Sequence, residues 1–283
     1  MGGTAKLRER KVMSQIREVY GITGLKGHGK DYFAKLVRGY NSDFAVDHFA
    51  RHLKELSSRI FGLSVEQVND TILKESPLPN GSIHLDEYLS PMRSLTELDI
   101  KPCGKVAATP REVLQFFGTE YVRHADHGYW VDVLIKNISD LSRVLVPDLR
   151  FLNERAALLG IHGKVIQILR LDMKNSKTDS HRSESEMAQL KPDLLLGTFT
   201  DDASIPRRVA SLIAMGDFEA AQMYDLRSAT LAIQAVDQGE RPWVASSKLD
   251  GNGDKVCAMF GVLEYYHSSE FRKEKLNDFA LKT

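Results

Sequence analysis

The sequence predicts an α/β fold with a mostly parallel central sheet covered by helices on both faces. Three observations lead to it. Short apolar runs alternate with helix-patterned runs from about residue 19 to residue 214. A glycine-rich turn joins the first apolar run directly to the first helix. Thr23, Asp47, Asp148 and Arg170 fall at or near the ends of four predicted strands. Ligands of open parallel sheets lie beyond the carboxyl ends of the strands, so one cleft could gather these four residues.

In chain order, residues 1–18 read as a polar tail or short helix. VYGIT (19–23) is the first strand. KDYFAKLVRG (30–39) places Phe33, Leu36 and Val37 at helical spacing, with Gly39 as a stop signal. FAVD (44–47) is a second strand, and residues 48–61 form an amphipathic helix. Residues 66–108 carry PLPNG, SPM and KPCG with little periodicity and read as an insertion, with room for a short hairpin, that covers or borders the site. Helical patterning restarts at 109–124, where Thr109 is the expected N-cap and Pro110 the first helical residue. A helix over 129–139, a strand over 143–148, a helix over 151–161 and a strand over 164–170 follow. Residues 171–186 are polar and aperiodic, with the cations Lys174, Lys177, His181 and Arg182, and fit a lid that closes on phosphates and excludes water. A last strand (193–196) and helix (201–214) complete a domain over 19–214. Residues 215–283 read as a small appendage: a helix over 217–238, then a hairpin turning at DGNG, then a charged helix over 264–280.

The bulk numbers exclude several classes. Lys+Arg and Asp+Glu are both 38, so the net charge is zero, without the basic excess of a dedicated nucleic-acid binder. Two cysteines, Cys103 and Cys257, lie far apart and without a partner pattern, which points to reduced thiols rather than a disulfide framework or zinc site. No apolar run is long enough to span a bilayer, and the basic N-terminus lacks the apolar region of a secretory signal. The expected setting is cytoplasmic, with small-molecule partners and neither nucleic acid nor membrane.

Four segments carry chemistry. Gly24-Leu25-Lys26-Gly27-His28-Gly29-Lys30 fits the phosphate-loop pattern G-x-x-x-x-G-K. Backbone N–H groups of such a loop surround phosphate oxygens, and the following helix adds its positive end. The pattern ordinarily continues with Ser or Thr on Mg²⁺, whereas here Asp31 follows, then Tyr32. Asp31 could hold Mg²⁺ directly or through water, or it could merely cap the helix. In VPDLRFLNE (146–154), Asp148 ends a strand and could orient Mg²⁺ or the attacking oxygen. Arg150 could fork onto a phosphate; alternatively the two form a structural ion pair. Arg111 and Gln115, four apart, share a helix face and suit a phosphate plus a base edge, although a plain solvated face explains them too. Trp130 reads as core or as a ligand platform. Arg170, at a strand end, introduces the cationic segment.

Taken in order, GLKGHGKD (24–31), REVLQFFGTEYVRHADHGYWVDVL (111–134), VLVPDLRFLNERAALLGIHGKVIQILR (144–170), DSHRSE (179–184) and DLLLGTFTDDASI (193–205) make the chain resemble the bacteriophage deoxynucleoside monophosphate kinase family of the T-even type. The resemblance covers about 19–213 and not 215–283. It implies a three-layer NMP-kinase fold with a P-loop core, a monophosphate-binding part and a lid. It implies transfer of the γ-phosphoryl of ATP, with Mg²⁺, to a deoxynucleoside 5′-monophosphate, and family habit points to a homodimer. By resemblance, the loop residues 24–32 hold the donor phosphates, with Lys30 on them and Asp31 on Mg²⁺. Arg111, Gln115 and Trp130 lie around the acceptor, as does Glu154. Asp148 and Arg150 sit between donor and acceptor, and Arg170, His181 and Arg182 belong to the lid side. The rival expectations are another small-molecule P-loop kinase, of the dephospho-coenzyme-A or phosphomevalonate type, and a nucleotide-binding regulatory protein without turnover.

Overall fold

A computed structural model describes residues 17–173, 186, 187, 189–227, 230, 272, 274 and 275. Among these residues the chain divides into two compact units, one taking 1–46 and 141–283 and the other 47–140.

The first unit is the expected α/β layer. Its five-stranded sheet has the order β2-β5-β1-β6-β7, with β1 Glu18–Thr23, β2 Ala45–Val46, β5 Arg143–Val146, β6 Lys164–Arg170 and β7 Leu194–Thr198. Every pairing is parallel: β1 with β5 from Glu18↔Arg143, β1 with β6 from Tyr20↔Lys164, and β6 with β7 from Ile166↔Leu194. Such a sheet is buried on both faces, and its strands read as near-continuous apolar runs; β1 and β7 are buried almost throughout. Helix α1 (Lys30–Tyr40) buries Phe33, Ala34 and Val37, and α8 (Ser204–Ala214) packs on it through one apolar face. Asn41 Nδ2 donates to Ala214 O at 3.0 Å and ties their ends together. Helix α7 (Leu152–Gly160) lies against β1 and β6, with Leu158 close enough to Gly21 that a Cβ there would meet it at 2.6 Å.

The expected boundary at 215 falls inside this core. Helix α9 (Phe218–Gln222) and the residues after it bury Phe218, Ala221, Tyr224 and Leu226 in the same cluster as Tyr20 and Leu195. Phe218 stacks on Tyr20 at 5.7 Å, and Asp225 Oδ2 accepts Leu195 N at 2.9 Å. The domain therefore runs on to at least Arg227, and cutting the chain at 214 would strip apolar side chains from the sheet. Leu226 is fully buried, so Leu226→Ala is expected to cost about 2–5 kcal/mol, read as a lower midpoint in denaturant unfolding. The hairpin expected around DGNG lies outside the described residues.

The second unit has its own core of Leu56, Leu85, Met92, Ile100, Phe117, Tyr121 and Trp130 among others. Helix α2 (Phe49–Phe61) opens it, followed by α3 (Val65–Asn69), β3 (Ile83–His84), α4 (Leu89–Thr96) and β4 (Val106–Ala107). The segment 66–108 contributes to this core. Val68, Leu78, Leu85, Met92, Thr96, Ile100 and Ala107 are buried in it, one or two to each short helix, strand or loop, so no single element carries an amphipathic run. In place of a tight hairpin, β3 and β4 form a two-strand antiparallel pair separated by α4. Helix α5 (Pro110–Gln115) begins as its sequence demands: Thr109 Oγ1 accepts Glu112 N, and Glu112 Oε2 accepts Thr109 N, both at 3.2 Å. Beyond Gln115 the expected α-helix becomes a π-helical stretch, Phe116–Arg123, before α6 (Tyr129–Asn137). Gly118 sits in the stretch where a Cβ would lie 2.9 Å from Leu53, and its carbonyl accepts the Trp130 indole N–H at 3.0 Å.

Candidate active site

The turn from β1 into α1 has the form that the glycines require. Gly24, Gly27 and Gly29 adopt φ of +145°, +84° and +90°, in the region open chiefly to glycine. Gly29 is the N-cap of α1, so the positive end of the helix faces the loop. Lys30 Nζ folds back over the turn and donates to Gly24 O at 2.6 Å and Leu25 O at 3.0 Å. Lys26 and Gly27 are exposed, and His28 is buried.

Asp31 is exposed on the first turn of α1. It accepts no hydrogen bond from that turn among the described residues, which removes the capping reading. Among the described residues no group of three His, Cys, Asp or Glu could hold a metal ion. Mg²⁺ is ordinarily held by one or two carboxylates plus phosphate oxygens and water, and Asp31 is a carboxylate exposed beside the loop.

His28 locks the loop to the sheet. Its Nδ1 lies 3.2 Å from Ile168 O and 3.4 Å from Arg170 N. One nitrogen serves one of these; the shorter contact places the proton on Nδ1, donating to Ile168 O. Burial lowers the His28 pKa from its ordinary 6.5, and Lys30 and Arg170 lower it further, against the raising effect of the Ile168 bond. The sign follows. Below pH 6.5 the unfolded chain binds more protons than the folded one, so stability is complete above that value and falls as pH drops toward the folded pKa. Wild-type protein is therefore expected to lose melting temperature more steeply from pH 6.5 downward than His28→Asn, which keeps a donor for Ile168 O and cannot titrate. Parallel curves for the two proteins would contradict this.

Beside the loop is a cavity of about 240 Å³. His28, Gly29, Tyr32 and Phe33 line one side, Ile168 and Arg170 another, and Thr198, Phe199, Thr200, Asp202, Ala203 and Pro206 the rest. Arg170 bridges loop and cavity: Nη1 donates to Thr200 Oγ1 at 2.9 Å, Nη2 lies 3.4 Å from where a Cβ on Gly29 would stand, and Nε is buried without a hydrogen-bond partner among the described residues. Asp172 Oδ2 accepts Thr200 N at 2.7 Å. Burial raises the Asp172 carboxyl, but hydrogen bonds from Thr200 outweigh it and leave the pKa below the usual value. Met173 reaches over Gly27, with Cε 3.2 Å from a Cβ built there.

The other expected residues divide. Asp148 and Arg150 lie in the turn after β5, on the same carboxyl edge of the sheet as Thr23 and Arg170, with Asp148 half-buried and Arg150 exposed. Glu154 is 1% exposed, and its Oε2 accepts Arg150 N and Phe151 N at 2.9 and 3.1 Å. It caps α7 and orders the turn, in place of the expected substrate contact. Trp130 is core, not platform: it is 3% exposed and packs edge-on to Phe117 and Tyr129. Arg111 and Gln115 are half-buried residues of α5 in the second unit, with Arg111 paired to Glu75. Asp47 pairs with Arg51 at 3.0 Å within that unit. Of the lid segment, Leu171, Asp172 and Met173 are described, whereas His181 and Arg182 lie outside the described residues. The cavity wall from Thr198 to Pro206 was missed, although its signal was present: TFTDD leaves the carboxyl end of β7, where the strand-end rule applies as it does to β1 and β6.

No protein-family model matches the chain. It is 25% identical to the deoxynucleoside-5′-monophosphate kinase of Escherichia phage T5 over an alignment of 207 residues, which takes in 58% of this chain and 83% of that protein. The unliganded sugar kinase of Janibacter sp. HTCC2649 covers 74% of this chain and 98% of its own, at 13% identity and a TM-score of 0.30. The sequence likeness is thus to a phage kinase and not to the T-even type in particular. Among the described residues no helix is long and apolar enough to cross a membrane. A glycine loop closed by Lys30 on the carboxyl edge of a parallel sheet, together with this likeness, supports a kinase.

Proposed function

We propose that the protein transfers the γ-phosphoryl group of ATP to deoxynucleoside 5′-monophosphates. The observation that carries the donor half is the continuity of the Gly24–Lys30 loop with the neighbouring cavity through His28, Gly29 and Arg170. At about 240 Å³ the cavity is smaller than the roughly 300–1,000 Å³ that encloses a whole drug-sized ligand. It suits one end of a nucleotide, a flat base, with the phosphates outside it on the loop. Arg170 then stands between base and phosphates, and its buried Nε, without a partner among the described residues, is a donor in want of an acceptor.

The acceptor half rests on the likeness to the phage T5 enzyme, and Arg111 and Gln115 are the residues that the resemblance assigns to it. An acceptor phosphate oxygen attacks the γ-phosphorus in line. Catalysis is alignment plus electrostatics: Lys30 offsets charge on the donor phosphates, and Asp148 and Arg150 serve the transferring group from the turn after β5. Asp31 is the carboxylate that would hold Mg²⁺ with phosphate oxygens and water, and the ion would supply charge neutralisation there.

A coupled ADP-release assay with ATP, Mg²⁺ and each deoxynucleoside or ribonucleoside monophosphate tests the proposal. ADP release that depends on a deoxynucleoside monophosphate supports it. ATP binding with no release on any monophosphate overturns the acceptor and leaves a different small-molecule kinase or a regulatory nucleotide binder.

A further inference from the structure

The resemblance read from the sequence stops at about residue 213, yet Arg272, far beyond it, reaches the donor cavity's wall. Arg272 Nη2 donates to Asp202 Oδ2 at 2.7 Å, and the Arg272 guanidinium lies 5.2 Å from the centroid of the Phe199 ring. Phe199 and Asp202 both line the cavity. The guanidinium is only 13% exposed, so this is a packed contact rather than a loose surface pair.

We propose that Arg272 is a positioning residue of the donor-nucleotide pocket and sets the affinity for the donor. The inference rests on the nucleotide reading of the loop and cavity. Two effects support it. First, the loop from β7 to α8 is held on one side by the sheet and on the other by Arg272. Thr200 bonds Arg170 and Asp172, Asp202 Oδ1 accepts Ser204 N at 2.7 Å, and Arg272 Nη2 fixes the second Asp202 oxygen. A planar cation against Phe199 also fixes the face that this ring offers to a base. Second, the ion pair neutralises a partly buried carboxylate at the edge of a site meant for an anion. Without Arg272, Asp202 would leave an uncompensated negative charge on the cavity wall, unfavourable for a polyanionic nucleotide.

The test uses the full-length chain, with ATP as the probe. ATP affinity is measured by titration for wild type, Arg272→Ala and Arg272→Lys, alongside KM for ATP, KM for the monophosphate, and the melting temperature without nucleotide. A lost charge-assisted bond is worth roughly a tenfold change or more, so Arg272→Ala is expected to weaken ATP about tenfold. Lys, which keeps the charge opposite Asp202 but not the planar stack, is expected to recover part of that loss. The monophosphate KM should stay near wild type, and the nucleotide-free melting temperature should fall in the Ala protein and recover in part with Lys. Should the Ala protein fail to fold, Arg272→Gln carries the same expectation. Unchanged ATP affinity in a folded variant overturns the inference alone. An equal loss on donor and acceptor, with a lowered melting temperature that Lys does not rescue, also overturns it, because that is a structural role. Wild-type protein that binds no ATP removes the nucleotide reading itself.

Discussion

Lys30→Ala lowers phosphoryl transfer by about 10²–10³-fold, the loss typical of removing one preorganised charge-stabilising donor, and leaves the protein folded. The two halves of this expectation come from the same geometry. The Lys30 ammonium donates to two loop carbonyls, Gly24 O and Leu25 O, and Lys30 belongs to neither apolar core. Its removal therefore frees a local clamp without opening a cavity. In phosphoryl transfer the protein performs little covalent chemistry, so a fixed cation on the β- and γ-phosphates supplies much of the rate. Arg is not expected to rescue the activity: the loop holds a compact point charge, and a broad planar fork does not fit between two carbonyls of one turn. The measurement is kcat in the coupled assay, together with a melting curve. Turnover within a few-fold of wild type in a folded Ala protein would remove Lys30 from the chemistry.

The α/β layer was legible because its signals are local. Each parallel strand is a short apolar run that announces itself, β6 with the same bounds as expected, 164–170. Pro110 after Thr109 marks a helix start through covalent geometry and side-chain reach alone. The loop was legible for the same reason, since its glycines and Lys30 are contiguous. What was not legible depends on contacts made far along the chain. The Trp130 indole finds its acceptor at Gly118 and its walls in Phe117 and Tyr129, and nothing in its own neighbourhood tells platform from core. Glu154 enters the expected acceptor contacts through the resemblance, yet at the third position of α7 it is placed to bond the backbone before it. Within the 47–140 unit, 66–108 escaped because its one or two buried residues per short element leave none long enough to show a period. Phe218 and Leu226 lie past the end of the resemblance, and only their burial against the sheet shows that the domain includes them.

Gly24→Ala is expected to destabilise the protein and to abolish phosphoryl transfer together, and the reason is backbone rather than side chain. Gly24 has φ +145°, and a Cβ there would stand 2.5 Å from Ile168 O and 3.4 Å from Ile168 C. The unfavourable φ alone costs about 1–3 kcal/mol, and forcing an extra carbon into packed space typically adds about 1–3 kcal/mol. The obstructing carbonyl cannot yield cheaply. Ile168 is the centre of β6, in register with Leu196 of β7, while its neighbours Ile166 and Gln167 pair with Ile22 and Thr23 of β1. The same oxygen accepts the His28 ring at 3.2 Å, so moving it also loosens the buried end of the loop and the Lys30 bond to Gly24 O. Gly39→Ala is the matched control. Gly39 lies in α1, and a Cβ there meets nothing within 4 Å, so Ala should stabilise the helix by about 0.5–1 kcal/mol. Denaturant unfolding of the two variants beside wild type reads both signs at once. If Gly24→Ala unfolds at the wild-type midpoint with activity intact, the tight approach of loop to β6 is wrong, and with it the geometry assigned to the phosphate site.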